Sequence, residues 1–550
     1  MNWKALTTGP AALAVLLTLG NAAKPPVVDD TAYLLFARHL AAHPLDPYGW
    51  ELNWYVRPEP AMDILLPPVL PYWLALGIRL FGEQPTLLKL WLFPVCWLFT
   101  RSAGALFARF APGWERPGTT LTALGPAVLP LVNFMLDVPA AALGLAAVTA
   151  FVRGCDERAA RRVAVAGLLC GLAMQTKYTT LTLPAVFLAY GLTRRRVGLA
   201  VGATAVAVGL FVAWELALFG RYGESHFVHQ LGDQAGGDWR SKLDAKRDLF
   251  RPLVAQLGGL AAAWGLLAGW AVGVNRWVLV GLAGLVAGGY LAVAVTPAAN
   301  TVLLRNGDTG SPRLDLPSLV YLTAGYAVLA TMAAACIRLR GSADGWFLVG
   351  WLVVELVGHF ALTPFPASRR VIPVVIAFGF LVARASPDRP TRWPVGFGVA
   401  CGVGLLALDT WDARVEPAGV EAAAALIGDP GPHAVWTQGH WGWQYAADRR
   451  AWRLAIPDET RLAVGDWLIM PDEPTAPGFY RPYHGGRKLA VEPTATTLVG
   501  EWVWQDWLAG QTVPNLYGGV WPVVGRDHPR LRVTVYRVTR DWTPATAGTP

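Results

Sequence analysis

Between Val197 and Phe219 the chain runs for 23 residues with one ionisable side chain, Glu215. A helix needs roughly 20 apolar residues to cross the hydrocarbon core. Inside lipid the backbone must satisfy its own hydrogen bonds, which a helix does. Comparable runs recur near 5–22, 86–108, 119–136, 138–152, 161–176, 178–193, 253–273, 277–296, 317–337, 345–363, 371–385 and 393–410, so the sequence predicts thirteen crossings, several of them short. Composition agrees, with 54% hydrophobic and 15% charged residues against about 25% charged in soluble domains. The expected fold class is a polytopic all-α membrane protein with about 13 transmembrane helices and a small C-terminal mixed α/β domain outside the membrane.

The stretch 64–82 is also apolar, but Pro67, Pro68 and Pro71 make it a poor spanning helix. With that stretch left out, the basic clusters share one side: Lys4, Arg101/Arg109/Arg116, Arg153 to Arg162, Arg194 to Arg196, Arg276, Arg338/Arg340 and Arg384 to Arg392. The loops 23–85, 220–252 and 297–316 and the C-terminal region fall on the other. Counting 64–82 as a crossing would invert the bias, so the positive-inside rule places the N-terminus in the cytoplasm of a cell-membrane protein. The same rule accounts for the net charge of +8 without nucleic acid. The first apolar run reads as a retained helix rather than a cleaved signal peptide. The five cysteines lie in apolar spans or a short basic loop and predict no disulfides.

Past residue 410 the chain changes character. Apolar runs shrink to strand length, as at His433–Thr437, Trp467–Met470 and Leu531–Tyr536, with Pro, Gly and Asp between them. That pattern divides the chain into a membrane domain at 1–410 and an extracytoplasmic α/β domain at 411–550. The aromatic cluster at Gly439–Tyr445 reads as core of that domain in preference to a sugar platform.

Against this background a few charges stand out. Asp29 and Asp30 lie just past the first span, ahead of an amphipathic segment at Tyr33–Leu40. An ionisable pair at a membrane surface points to a functional site, while a helix cap would also explain it. Asp137 sits alone in a short outward turn. Lys177 and the pair Arg369–Arg370 face outward against the positive-inside trend, where they would suit an anionic headgroup, or would snorkel to bulk lipid. His226 and His229 share a helix spacing that suits a metal, but no third ligand accompanies them. No nucleophile elbow, P-loop, dinucleotide fingerprint or HExxH motif stands in a fitting context.

The order and sidedness of these pieces resemble the GT-C glycosyltransferases, in the branch of the dolichyl-phosphate-mannose–protein mannosyltransferases and lipid A aminoarabinose transferases. The resemblance rests on Asp29, Asp30 and Tyr33; on Pro67, Pro68, Tyr72 and Trp73; on Asp137; on Gly171, Leu172, Ala173 and Lys177; and on Arg369, Arg370 and Pro373. It implies transfer of a sugar from a polyprenyl-phosphate donor to a protein, lipid or glycan acceptor at the outer face, with membrane lipids as surroundings. It implies Asp29 as the catalytic carboxylate with Asp30 in support and Asp137 as the second outward acid. Tyr33, Tyr72, Lys177, Arg369 and Arg370 are the candidate substrate contacts. The sequence assigns no cofactor and leaves open a divalent metal at the acidic site. One departure is Leu66, where the family often carries Lys or His before the Pro-Pro pair. A flippase for lipid-linked sugars, or a silent lipid-binding relative, are the alternatives. The clustering of charge at one face instead of the midplane favours an enzyme.

Overall fold

The computed structural model describes residues 9–54, 57–235, 246–273, 316–386, 392–457, 459–472 and 493–504, together with 281, 284, 288, 304–306, 312–314, 510–511, 513–519, 523–525 and 531–544. The chain divides into two compact units, each discontinuous in sequence. The first gathers Met1–Ala22, Leu66–Ala407 and Pro514–Val524, and the second Ala23–Leu65, Leu408–Val513 and Gly525–Pro550.

The first unit is helical. Among the described residues six helices are long and apolar enough to cross a membrane, or seven if one bent pair counts as a single span. They include Asp137–Asp156, Val197–Tyr222 and Ala343–Leu362. Several of the thirteen expected spans resolve into shorter pieces. The stretch 119–136 is broken, because the helix Glu115–Leu124 ends at Gly125 and a short 3-10 turn, Leu129–Leu131, follows. Pro126 and Pro130 remove backbone donors there and bar a continuous helix. The stretch 253–273 bends by 80° between Lys246–Leu260 and Ala262–Ala271. The stretch 277–296 lies almost wholly outside the described residues. The helix Val69–Phe81 has 13 residues, about 20 Å at 1.5 Å per residue, too short to span alone.

Close helix crossings use glycine. A Cβ on Gly258 would lie 1.9 Å from the Tyr321 carbonyl, and one on Gly325 would lie 1.9 Å from the Val254 carbonyl. Lipid supplies no hydrophobic drive between helices, so backbone approach of this kind provides the packing. The helix Val69–Phe81 is locked to Pro85–Leu90 and its continuation by Trp73 and Trp91. Their rings stack at 4.6 Å, and each indole N–H donates to the other's carbonyl at 3.2 and 2.9 Å.

The second unit is built on a five-stranded mixed sheet. Its strands are β1 (Val435–Thr437), β2 (Arg453–Leu454), β3 (Trp467–Asp472), β4 (Thr496–Val503) and β5 (Arg532–Val538), in the order β2-β1-β3-β5-β4. β1 pairs in parallel with β2 and β3, while β5 runs antiparallel to β3 and β4. Val533 and Val535 alternate onto Val415, Val420 and Ala423 of the helix Val415–Ile427. A second cluster joins Leu468 and Val538 of the strands to Ala455 and Leu462. Trp443 fills the core at 1% exposure and donates its indole N–H to Thr437 Oγ1. The cluster Gly439–Tyr445 is therefore core. Gly439 is required at its place: its φ is +138°, and a Cβ there would meet Trp443 Cδ1 at 2.2 Å.

Residues 23–65 pack in this same unit. Lys24 and Asp409 form an ion pair at 2.5 Å with both side chains fully buried. Gln444 Nε2 donates to the Asn53 carbonyl at 2.5 Å, and Trp54 meets His440 edge-on.

Candidate functional site

In the first unit, four charged residues from three widely separated stretches of the sequence converge. Asp137 is the first residue of the helix Asp137–Asp156, where the helix dipole favours a carboxylate. Lys177 is an extended residue, with φ −158° and ψ 128°, in the link from the helix ending at Met174 to the 3-10 turn Tyr178–Thr182 that leads into the helix beginning at Leu183. The β-branched Thr176, Thr179, Thr180 and Thr182 disfavour a continuous α-helix through this link, and Thr180 Oγ1 donates to the Lys177 carbonyl at 2.8 Å. Arg369 and Arg370 lie on a 3-10 turn, Ser368–Val371, ahead of the helix Ile372–Ala385 with Pro373 in its first turn.

Lys177 Nζ donates to Asp137 Oδ1. Arg369 Nη1 stands 3.6 Å from Asp137 Oδ2, and the three side chains are 8%, 4% and 6% exposed respectively for Lys177, Asp137 and Arg369. Arg369 Nε donates at 3.1 Å to the carbonyl of Tyr517, on the short helix Val513–Gly518. Arg370 lies 4.1 Å above the Phe365 ring. Burial pushes the Lys177 ammonium down to about 8, with Asp137 opposing and the two arginines reinforcing the shift.

All four residues line one pocket of about 580 Å³, counting the part open to solvent. Its other walls are mostly apolar, from Ala140, Gly144, Leu145, Leu183, Ile372 and Ile376. Three cations face two carboxylates, Asp137 and Glu355, in a setting where charge is poorly screened, so the pocket keeps an excess of positive charge that favours an added anion. The hydrocarbon lining suits an anion with an apolar tail.

The wall also carries Glu355, which accepts the Trp351 indole N–H at 3.0 Å. Sequence reasoning missed Glu355, although a carboxylate inside an apolar helix is itself a signal. It also missed Tyr517, whose phenol oxygen meets Asn133 Nδ2. Nothing local in the sequence marks a tyrosine in the C-terminal region as part of the helical unit. The Tyr72 helix lies beside the Lys177 link, since Val69 N donates to the Gln175 carbonyl at 3.3 Å. Tyr72 itself packs edge-on against Trp214.

Asp29, Asp30 and Tyr33 belong to the second unit. Asp30 is fully buried, and its Oδ2 accepts the Val27 N–H at 3.2 Å. Asp29 is half-buried and stands at the N-cap of the helix Asp30–Ala42, but its side chain makes no capping hydrogen bond. The cap reading therefore fails for Asp29. The turn ahead of it places Val28 at φ +47°, a left-handed conformation that strains a β-branched residue and recurs where structure holds a functional group in place. Tyr33 is buried, as are Leu34, Phe36 and Leu40 of the same helix.

His226 and His229 do not share a ligand set. His226 Nδ1 meets the Tyr178 hydroxyl at 2.6 Å, and His229 Nδ1 meets Glu224 at 3.0 Å. No group of three or more His, Cys, Asp or Glu positioned for a metal occurs among the described residues. The donor set at the Asp137 pocket, with cations in the majority, does not fit a divalent ion either.

No protein-family profile and no curated protein sequence matches the chain. Solved structures do. ArnT from Cupriavidus metallidurans bound to undecaprenyl phosphate is similar at 16% identity over 97% of this chain and 98% of that one, with a TM-score of 0.40. The archaeal oligosaccharyltransferase AglB from Archaeoglobus fulgidus, in complex with an inhibitory peptide and a dolichol-phosphate, shares 13% identity over 79% of this chain and 62% of its own, with a TM-score of 0.44. The apo form of the Archaeoglobus fulgidus oligosaccharyltransferase gives 13% identity, 81% and 63% coverage and a TM-score of 0.45.

Proposed function

We propose that this chain is a membrane glycosyltransferase that moves a sugar from a polyprenyl-phosphate donor to a hydroxyl or amine of a protein, lipid or glycan at the outer membrane face. The observation that carries this reading is the convergence of Lys177, Arg369 and Arg370 on Asp137 in an apolar-lined pocket. A lipid phosphate is an anion with a hydrocarbon tail, and arginine and lysine are its usual partners.

In this reading the acceptor oxygen or nitrogen attacks the anomeric carbon while the bond from that carbon to the phosphate oxygen breaks. The polyprenyl phosphate leaves with the bonding pair. Charge building on the leaving phosphate is stabilised by Lys177, Arg369 and Arg370, held in place before the reaction starts. Asp137 fixes the rotamers of Lys177 and Arg369 and so acts as a positioning residue. Asp29, half-buried in the second unit where Asp30 is buried, is the candidate base for the acceptor proton. Asp30 orders the turn through its bond to Val27. Lys177, whose link abuts the start of the Tyr72 helix, supplies the cation that Leu66 cannot.

Reconstitution in liposomes with polyprenyl-phosphate sugars tests the assignment. Asp29→Asn is expected to bind polyprenyl phosphate with wild-type affinity and to lose transfer by about 100-fold or more, the typical contribution of general base catalysis. Full transfer by correctly inserted Asp29→Asn protein would sink the catalytic role.

A further inference from the structure

A second basic pocket lies at the other end of the helix that carries Asp137. Its walls include Arg101, Arg116 and Arg153, each from a different helix, with Gly9, Pro10 and Leu13 at the start of the helix Pro10–Ala22. Arg153 follows Asp137 by sixteen positions in one unbroken helix, about 24 Å at 1.5 Å per residue. With a hydrocarbon core about 30 Å thick, the two pockets open toward opposite membrane faces.

The charges here are unlike those around them. At the same end of the unit Arg109 pairs with Asp156 and Asp344, Arg194 pairs with Asp344, and Arg162 pairs with Glu157. Arg101, Arg116 and Arg153 make no ion pair with any described residue, although all three line one cavity. The one carboxylate on the wall, Glu115, is committed to the backbone N–H of Gly113, at 3.0 Å from each of its oxygens. The helix Pro10–Ala22 begins at the cavity and adds the positive end of its dipole. The cavity holds about 950 Å³, counting the part open to solvent, and Leu13, Ala105 and Gly104 give it an apolar side.

We infer that this pocket is a fixed binding site for the phosphate of an anionic phospholipid headgroup, separate from the Asp137 pocket. Three guanidinium groups from three helices give a phosphate convergent, bidentate donors. Basic pockets between membrane helices on the cytoplasmic side are suited to such headgroups. A lipid held there ties the first helix to the helices Phe93–Phe110, Glu115–Leu124 and Asp137–Asp156.

Native mass spectrometry of the delipidated full-length protein tests this, with phosphatidylglycerol, phosphatidylcholine and glycerol 3-phosphate as separate probes. One phosphatidylglycerol is expected to bind per chain at least tenfold more tightly than phosphatidylcholine. Arg116→Gln/Arg153→Gln is expected to weaken that binding at least tenfold, while undecaprenyl phosphate binding at the Asp137 pocket stays unchanged. Equal retention by the double variant would overturn the inference. So would glycerol 3-phosphate binding as tightly as the lipid, which would assign the pocket to a free phosphate. If the double variant does not fold, photolabelling of the wild type with a diazirine phosphatidylglycerol decides instead. Label on peptides holding Leu13, Ala105 or Thr149 supports the site, and its absence there overturns it.

Discussion

Raising the pH should release a lipid phosphate from the Asp137 pocket well before any ordinary lysine would titrate. Burial lowers Lys177 from its usual value near 10.5 to about 8. The second ionisation of a phosphate monoester is near 6, so by pH 8 the ligand's own charge no longer changes. Above about 8 the protonated fraction of Lys177 falls about tenfold per pH unit, and affinity for polyprenyl phosphate should fall with it, by about 1.4 kcal/mol per unit. Stability should move the other way. Between about 8 and 10.5 the unfolded chain holds the Lys177 proton and the folded chain does not. The unfolded state then binds more protons, so this group's contribution to stability rises with pH across that window. Binding of undecaprenyl phosphate, followed by tryptophan fluorescence from pH 7 to 10, gives the first quantity. The thermal midpoint over the same range gives the second. Lys177→Arg keeps the charge but stays protonated throughout, so it should bind with a flat profile. A flat wild-type profile, or the same fall in Lys177→Arg, would refute the role given to Lys177.

Other outcomes concern the second unit. Asp409→Asn removes the carboxylate that accepts from the fully buried Lys24 ammonium at 2.5 Å, which should destabilise the fold by about 3–5 kcal/mol; equilibrium unfolding in detergent measures this, and a change under 1 kcal/mol would contradict the burial of the pair. Gly439→Ala places a methyl group against Trp443 at a φ that alanine avoids. A lower thermal midpoint and an altered tryptophan emission spectrum are expected.

Much of this architecture is legible along the sequence. The apolar run at 197–219 becomes the helix Val197–Tyr222, because length and polarity alone decide that a segment crosses lipid. The proline-rich stretch at 64–82 yields a helix of 13 residues rather than a span. Strand-length apolar runs past 410 become β1, β3 and β5 of the sheet. The failures are local as well: Gly125 with Pro126 and Pro130 cuts a run whose hydrophobicity alone suggested a crossing.

What the sequence determined by itself is the solvent each segment lives in, together with a short set of charges out of place in that solvent. Apolar length, proline positions and basic clusters are local properties, and a helix in lipid closes its hydrogen bonds without help from distant residues. Only the tertiary structure decided which of those charges meet. Asp137, Lys177 and Arg369 lie 40 and 192 positions apart along the chain, and no periodicity links them. Glu355 and Tyr517 joined them through helix packing, residues 23–65 joined the C-terminal sheet unit, and Arg101, Arg116 and Arg153 gathered at the far end of the same helix. Contacts of that kind depend on how whole helices cross, and at Gly258 and Gly325 that crossing is set by the absence of a single methyl group.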